Sequence, residues 1–160
     1  MIIKNQILLD GKLINITYHD ADSFADLPLT KCHQVYGFCF YKGKLIIGYE
    51  INKQRWQLIG GGIEPGETFE QTLFREVKEE SNMNIVKFWP VGFQWVMPED
   101  TYQPRYCCLV EPYGAFVSDP DGDITKIKFI KPEYFPKYVD WQKIGDRLVE
   151  RSVELVNKSS

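Results

Sequence analysis

Runs of apolar, aromatic and β-branched residues, divided by short polar turns, recur along this chain and predict a protein rich in strands. Two pairs of runs are each separated by a two-residue turn that ends in glycine, a pattern typical of hairpins. The paired runs are residues 2–9 with 12–18 and residues 34–41 with 44–50. Three later runs predict further strands, at about residues 85–97, 105–113 and 124–131.

Two segments follow the helical period instead. The first predicted helix runs from about Thr68 to Asn82, and the second from Val139 to Asn157. Thr68 and Gln71 have the spacing of a capping box, and Asn82 tolerates the left-handed conformation in which helices often end. Many strands with one middle and one terminal helix predict a layered α/β or α+β fold.

Composition narrows the class of protein. The chain has 160 residues, 44% of them apolar, and this length favours one domain over residues 1–160. Its net charge of −3 argues against a dedicated nucleic-acid binder, since such proteins are usually basic. No apolar run is long enough for a signal peptide or a membrane span. The four cysteines form no C-x-x-C pair, so we expect buried thiols and a cytoplasmic protein.

The candidate chemistry lies on the first predicted helix. Glu76, Glu79 and Glu80 share one narrow arc of it, and Arg75 precedes Glu79 by four residues, close enough to pair. The adjacent arc is apolar and should press against the sheet; it holds Leu73, Phe74 and Val77. Taken alone, such acids are more often a solvated helix face, and residues 64–80 do carry six acids against Arg75 and Lys78.

Three glycines just upstream change that balance. Gly60, Gly61 and Gly62 remove side chains where the backbone could approach a ligand and offer a carbonyl oxygen to it. Hard divalent cations such as Mg²⁺ take oxygen ligands and often combine carboxylates with the phosphates of a substrate. Acids and glycines together therefore predict a divalent-metal site for a phosphorylated substrate.

The combined spacing resembles the box of the Nudix hydrolase (MutT-like) family, G-x5-E-x7-R-E-U-x-E-E-x-G-U with U an aliphatic residue. The match covers residues 61–83, with Glu67 at the first acid, Arg75-Glu76 at the central pair and Glu79-Glu80 at the paired acids. Two positions depart from the family pattern. Asn82 stands where the box has its final glycine, and Ile59 stands where members often have proline.

The resemblance implies an α/β/α sandwich with a mixed central sheet and hydrolysis of a nucleoside diphosphate linked to another moiety, with Mg²⁺ or Mn²⁺ as cofactor. By motif position, Glu76, Glu79 and Glu80 would hold the metal together with the carbonyl of Gly60. These glutamates and Arg75, which would orient them, are the predicted catalytic residues, and Glu67 would brace the loop. The predicted substrate-binding residues are Gly61, Gly62, Arg55 and Trp56.

Several points stay open from the sequence. ADP-ribose or an ADP-sugar and an (oxidised) nucleoside triphosphate are both candidate substrates. In this family, a proline shortly beyond the box accompanies hydrolysis of ADP-ribose, and Pro98 lies at about that distance. Arg55 and Arg105 are candidates for phosphate contacts, with a solvated position as the alternative. The general base could be a box glutamate or one of six later acids. These are Glu99, Asp100, Glu111, Asp119, Asp121 and Asp123.

Expectations about partners follow from the same reading. We expect a small-molecule nucleotide as substrate, with neither nucleic acid nor membrane as a partner. The sequence leaves the oligomeric state open between a monomer and the homodimer that is common among Nudix relatives. The alternatives to an enzyme are a Nudix-type binding module that senses a nucleotide without cleaving it and a structural domain with an acidic helix. The complete set of box acids favours the enzyme.

Overall fold

The computed structural model describes residues 1–117 and 122–159, and within them the chain forms nine strands and three α-helices. The strands are β1 (Ile2–Leu9), β2 (Lys12–Asp20), β3 (Gln34–Tyr41), β4 (Lys44–Glu50), β5 (Arg55–Gln57), β6 (Ile59–Gly62), β7 (Met83–Met97), β8 (Thr101–Pro112) and β9 (Ile124–Ile130). The helices are α1 (Phe69–Ser81), α2 (Phe135–Tyr138) and α3 (Gln142–Lys158). No helix among the described residues is both long and apolar enough to cross a membrane.

The strands join in one twisted path with the order β1-β2-β7-β8-β3-β4-β5, while β6 pairs with β3 and β9 pairs with β4. Strands β3 and β8 run parallel and the other pairs are antiparallel, which confirms the predicted mixed sheet. Alternate residues of each strand feed two separate apolar cores. One core packs under α1, and the other packs under α2 and α3.

Helix α1 forms where the sequence predicts it. The Thr68 hydroxyl accepts a hydrogen bond from the Gln71 amide, and the Gln71 side chain accepts one from the Thr68 amide. Asn82 ends the helix in the left-handed conformation with φ 57°. Leu73 and Val77 are fully buried against the sheet. This local capping explains why the helix begins and ends within one residue of its predicted limits.

Two expectations about the elements need correction, and the glycine segment forms a strand that the sequence did not predict. Phe74 is 42% exposed rather than pressed against the sheet, since its ring only meets the edge of Phe88 on β7. The glycine strand is β6, which holds the three glycines and pairs with β3. Helix α3 begins at Gln142 rather than Val139, because Val139 is extended and buried after the separate short helix α2.

The cysteines lie where the sequence predicts them, inside the cores. All four are free and buried, at positions 32, 39, 107 and 108. Burial raises the pKa of the Cys107 thiol to about 12 and that of the Cys32 thiol to about 11. Thiols in this state are protonated at neutral pH and unreactive, so they act as small apolar side chains.

Candidate active site

The glycine strand β6 lies directly against the acidic side of α1. A Cβ atom at Gly61 would fall 2.5 Å from the carboxyl carbon of Glu76, and one at Gly60 would fall 2.3 Å from the carbonyl oxygen of Val35. The amide of Gly60 donates to Oε1 of Glu80 at 2.7 Å. Only glycine fits at Gly60 and Gly61, so these two residues let the backbone approach two carboxylates of the box.

Arg75 holds the acids of the box in one network. Its Nε donates to Glu67 at 2.8 Å, and its Nη1 donates to Glu76 at 2.8 Å and to Glu79 at 3.3 Å. Its Nη2 donates to the carbonyl oxygen of Gly62 at 2.9 Å. The forked guanidinium therefore ties the helix to the loop before it and to the glycine strand.

Glu67 closes the loop between β6 and α1. Its Oε1 accepts from the Glu64 amide at 2.8 Å and from the Thr72 hydroxyl at 3.0 Å. Hydrogen bonds from Arg75, helped by those from Glu64 and Thr72, lower the pKa of Glu67 to about 2. The carboxylate is thus ionised at neutral pH and fixes the entry into α1 from within the loop.

A polar cleft of about 390 Å³ opens in front of β6. Four acids line it: Glu76 and Glu80 belong to α1, Glu50 ends β4, and Asp123 lies just before β9. Its full lining is Tyr36, Glu50, Asn52, Lys53, Gln57, Gly60, Gly61, Gly62, Glu76, Glu80 and Asp123.

Glu50 is the lining residue that sequence reasoning missed most clearly. It ends β4, is only 5% exposed, and accepts hydrogen bonds from the backbone amides of Asn52 and Lys53. The side chain of Asn52 in turn donates to Asp123 at 3.0 Å. The sequence signal that could have found it is a single acid at the end of an apolar strand. Such an acid is rarely buried unless hydrogen bonds or charges partner its carboxylate.

Two predicted substrate-binding residues lie outside the cleft lining. Arg55 is exposed on the edge strand β5 opposite Glu50. Trp56 points to the other face of the sheet, where its ring meets Tyr49 and Tyr138 edge-on. Gly61 and Gly62, by contrast, line the cleft as expected. Glu79 is not part of that lining, and Arg75 Nη1 donates to it at 3.3 Å.

Of the six later acids, Asp123 lines the cleft. Asp100 lies in the turn between β7 and β8, where it accepts from Trp95 and pairs with Lys31. Pro98 belongs to the same turn, away from the cleft lining. Glu99 and Glu111 also lie outside that lining, and Asp119 and Asp121 fall outside the described residues.

Arg105 is not a solvated arginine. Only 3% of it is exposed, inside β8. Its guanidinium lies 5.2 Å from the ring centres of both Tyr36 and Trp141. The alternative of a solvated surface position is therefore wrong for this residue, because the sheet and the start of α3 enclose it.

The donor chemistry of the cleft fits a hard divalent cation. Glu76 and Glu80 supply carboxylate oxygens beside the backbone of Gly60 and Gly61, and oxygen is the ligand that Mg²⁺ and Mn²⁺ prefer. Within residues 1–117 and 122–159, no three acidic, histidine or cysteine side chains converge into a ready-made ion site. Arg75 and the Gly60 amide engage these carboxylates instead.

Comparison with known proteins places the chain among related sequences. The family model of the NUDIX domain matches residues 42–151, which is more than half of the chain. The NAD-capped RNA hydrolase NudC of Vibrio atlanticus is 26% identical over 107 residues, which are 66% of this chain and 38% of that protein. The RNA pyrophosphohydrolase of Erwinia tasmaniensis is 39% identical over 46 residues, which are 29% of this chain and 26% of that protein. The matches thus span well under half the length of these curated relatives.

Among solved structures, the pyrophosphohydrolase BsRppH of Bacillus subtilis superimposes with a TM-score of 0.68 at 17% sequence identity. The overlap covers 91% of this chain and 92% of that one. At this identity the likeness concerns the fold, and it extends over nearly the whole of both chains.

Proposed function

This chain belongs to the Nudix family, and we propose that it is a metal-dependent pyrophosphohydrolase acting on a nucleoside diphosphate linked to another moiety. One observation carries the proposal. Glu76 and Glu80 face a cleft beside three glycines, and Arg75 fixes the helix that bears them. A binding module needs no such convergence of acids at a place where it must accept phosphates, because uncompensated carboxylates repel that ligand.

We assign Glu76, Glu79, Glu80 and the carbonyl of Gly60 as the groups that would hold Mg²⁺ or Mn²⁺. When bound, such an ion neutralises charge on phosphate oxygens and makes a coordinated water more acidic. The role of Arg75 is to orient Glu76 and Glu79 through the contacts at 2.8 and 3.3 Å. Hydrolysis of a phosphoanhydride depends mainly on positioning and charge, which this rigid network supplies.

Asp123 is our candidate for the group that accepts the proton of the attacking water. It lines the same cleft as Glu80, and Asn52 orients its carboxylate with a hydrogen bond of 3.0 Å. A general base must lie within reach of the reacting water, and Asp123 alone among the described later acids lines the cleft. Replacing Asp123 with Asn should lower kcat by about 10²-fold with little change in KM.

The substrate is proposed only as a class. ADP-ribose or an ADP-sugar and an (oxidised) nucleoside triphosphate fit the nucleoside-diphosphate requirement. The names of two relatives, an NAD-capped RNA hydrolase and an RNA pyrophosphohydrolase, add RNA that carries a phosphoanhydride as a compound to test. All of these present a phosphoanhydride, whose negative charge a bound Mg²⁺ or Mn²⁺ would neutralise beside the acids of the cleft.

The experiment is a hydrolysis panel on purified protein with Mg²⁺ or Mn²⁺. The panel contains nucleoside triphosphates, ADP-ribose, sugar nucleotides, dinucleotides, NAD and a short 5′-triphosphorylated RNA. We expect metal-dependent release of phosphate, pyrophosphate or a nucleoside monophosphate from at least one compound. Tight nucleotide binding without product from any of them would contradict the enzyme and favour a nucleotide sensor.

A further inference from the structure

Arg105 is a buried cation without an acidic partner. Its Nη2 donates to the side-chain oxygen of Gln103 at 3.1 Å, and its Nη1 makes a long contact of 3.4 Å to the carbonyl of Pro104. Its Nε has no hydrogen-bond partner. Among the described residues no carboxylate pairs with it, and two aromatic rings enclose it instead.

Such an arrangement lowers the stability of the fold. Removing a guanidinium from water is unfavourable unless charges and hydrogen bonds replace the lost hydration, and here only rings and amides do so. Burial accordingly lowers the pKa of Arg105 to about 10, with a partial offset from Tyr36. The group still carries its charge at neutral pH. An apolar side chain of similar size would fill the same space at a smaller cost in stability.

The position of Arg105 connects it to the cleft. In the parallel pair of β3 and β8, Arg105 lies opposite Tyr36, and its guanidinium stacks over the Tyr36 ring at 5.2 Å. In the pair of β3 and β6, Tyr36 lies opposite Gly60. A Cβ atom at Gly60 would fall 2.7 Å from Cδ1 of Tyr36, so the Tyr36 ring rests directly on the Gly60 backbone.

Gly60 is the last link before the acids. Its amide donates to Oε1 of Glu80 at 2.7 Å. A shift of the Tyr36 ring would release the backbone that it covers and change the direction of this N–H group. Trp141, at the start of α3, closes the stack on the far side of Arg105 at 5.2 Å.

We propose that Arg105 is a positioning residue for the cleft: held between Trp141 and Tyr36, its guanidinium keeps the Tyr36 ring on Gly60 and so keeps the Gly60 amide directed at Glu80. Cation–π attraction is strong where water is excluded, which suits a charge that has no carboxylate beside it. The catalytic meaning of this inference rests on the proposed function, because Glu80 is assigned its role there. The contact that it describes does not depend on that assignment.

The test replaces Arg105 with Met, which keeps the length of the side chain and removes the charge and the planar head. We expect the melting temperature to stay the same or rise, the Gly60 amide to exchange with solvent about tenfold faster by NMR, and kcat to fall about tenfold with KM nearly unchanged. A residue that only fills space would leave both amide exchange and kcat at their wild-type values.

Ser152→Ala is the matched control. Ser152 is fully buried on α3, and within residues 1–117 and 122–159 its hydroxyl also lacks a hydrogen-bond partner. Its carbonyl oxygen accepts from the Cys107 thiol at 3.5 Å, a contact separate from the stack of Arg105 on Tyr36. This variant should keep or gain thermal stability, with wild-type Gly60 exchange and wild-type kcat. Faster Gly60 exchange in Ser152→Ala equal to that in Arg105→Met would overturn the proposal, because the effect would then be a general loosening of this face.

A double-mutant cycle tests whether Arg105 acts through Tyr36. If it does, Tyr36→Leu and the double variant with Arg105→Met should show the same Gly60 exchange and the same kcat. Additive effects of the two substitutions would contradict the proposal. Amide exchange needs neither metal nor substrate. If the protein hydrolysed nothing in the panel, the proposed function would be refuted, but exchange at Gly60 would still decide the role of Arg105.

Discussion

The two faces of the sheet each enclose an arginine, and the two are treated in opposite ways. On the α1 face Arg75 is 22% exposed and lies within 3.3 Å of carboxylate oxygens of Glu67, Glu76 and Glu79. On the α3 face Arg105 is 3% exposed and meets aromatic rings and amide oxygens. The more deeply buried cation is therefore the one without an acid.

The same contrast appears in the pKa values. Hydrogen bonds from Arg75 to Glu67, together with those to Glu76, raise the pKa of Arg75 above its usual range in spite of partial burial. Burial without such partners lowers the pKa of Arg105 to about 10. An arginine that is paired with carboxylates stabilises the fold around it. A buried arginine without such partners lowers the stability of the fold, but it holds a positive charge against an aromatic ring.

The largest effect is expected on the α1 face at Glu80. Changing Glu80 to Gln removes the negative charge and keeps the shape, so the acceptor for the Gly60 amide remains while the carboxylate is lost. A metal site contributes several kcal/mol to the transition state, and we expect kcat to fall by about 10³-fold. Steady-state kinetics at saturating Mg²⁺ measure it.

Glu111→Gln is the control for this variant, since Glu111 is exposed on β8 outside the cleft lining. It should retain wild-type kcat. The melting temperatures of both variants should lie close to that of the wild-type protein. If Glu80→Gln kept more than a tenth of the wild-type kcat, the α1 face would not hold the catalytic acids.

The contrast between the arginines is sharpest when each is replaced by Met. Arg75→Met leaves Glu67, Glu76 and Glu79 without their shared cation, and we expect the free energy of unfolding to fall by about 3 kcal/mol. Arg105→Met should leave that free energy unchanged or raise it. Urea denaturation of both variants, with the slope m fitted freely, gives the two values.

Opposite signs for these two substitutions would establish the difference between the faces. Equal losses would contradict it, because they would mean that Arg105 is stabilised in the fold as well as Arg75 is. A change in m would show that a variant had altered the unfolded or native state more broadly.

Features that depend on residues close together in the sequence could be predicted, and those that depend on the pairing of distant strands could not. Helix α1 was predicted to within a residue because Thr68, Gln71 and Asn82 act within a few positions of one another. The clustering of Glu76 and Glu80 beside the glycines also follows from helical period and spacing. Phe74 was placed wrongly, since the period gives the direction of a side chain but not how far the sheet extends beneath it.

The other side of the cleft carries no local signal. Glu50 and Asp123 come together through the antiparallel pairing of β4 with β9, and Arg105 meets Tyr36 through the parallel pairing of β3 with β8. Each is a single polar residue in or beside an apolar strand. Only the register between distant strands decides whether such a residue is exposed, buried or part of a site.

The α3 face also holds an arginine that pairs with an acid, so the lack of an acidic partner is a property of Arg105 and not of that face. Arg147 donates to Asp20 at 2.7 Å, and the Tyr18 hydroxyl donates to the same carboxylate at 2.8 Å. Burial alone would raise the pKa of Asp20, but the bonds from Arg147 and Tyr18 outweigh it and hold that pKa well below its usual range. This interaction is formed in the folded state by the ionised carboxylate.

Changing Asp20 to Asn should therefore lower the free energy of unfolding at pH 7 by about 2 kcal/mol. A depressed pKa contributes stability above the unfolded value of about 3.9 and loses it as the pH falls further. The difference between wild type and variant should shrink steadily below about pH 4. Denaturation at pH 7 and pH 3 measures it.

Asp22→Asn is the control for that series. Asp22 is 97% exposed and also meets an arginine, Arg151, at 3.1 Å. An exposed pair of this kind should contribute less than about 0.5 kcal/mol at any pH. A pH-independent gap between wild type and Asp20→Asn would contradict the assignment of Asp20 as the titrating partner of Arg147.

The smallest effect concerns the ends of the two long helices. Thr68 caps α1 through a reciprocal pair of hydrogen bonds with Gln71, whereas Trp141, the residue before α3, gives that helix no side-chain cap. Thr68→Ala should lower the free energy of unfolding by about 1 kcal/mol.

Ser159→Ala at the other end of α3 is the control. It removes a hydroxyl that donates to the Val156 carbonyl at 2.7 Å and should lower the free energy of unfolding by less than about 0.5 kcal/mol, because the ends of helices fray. Urea midpoints of the two alanine variants decide the point: the ends of α1 are set by local hydrogen bonds, whereas α3 is held by the packing of its Ile144 and Leu148 against Phe135 and the sheet. Equal costs would mean that the capping box adds nothing beyond a surface hydroxyl and that both helices depend on packing alone.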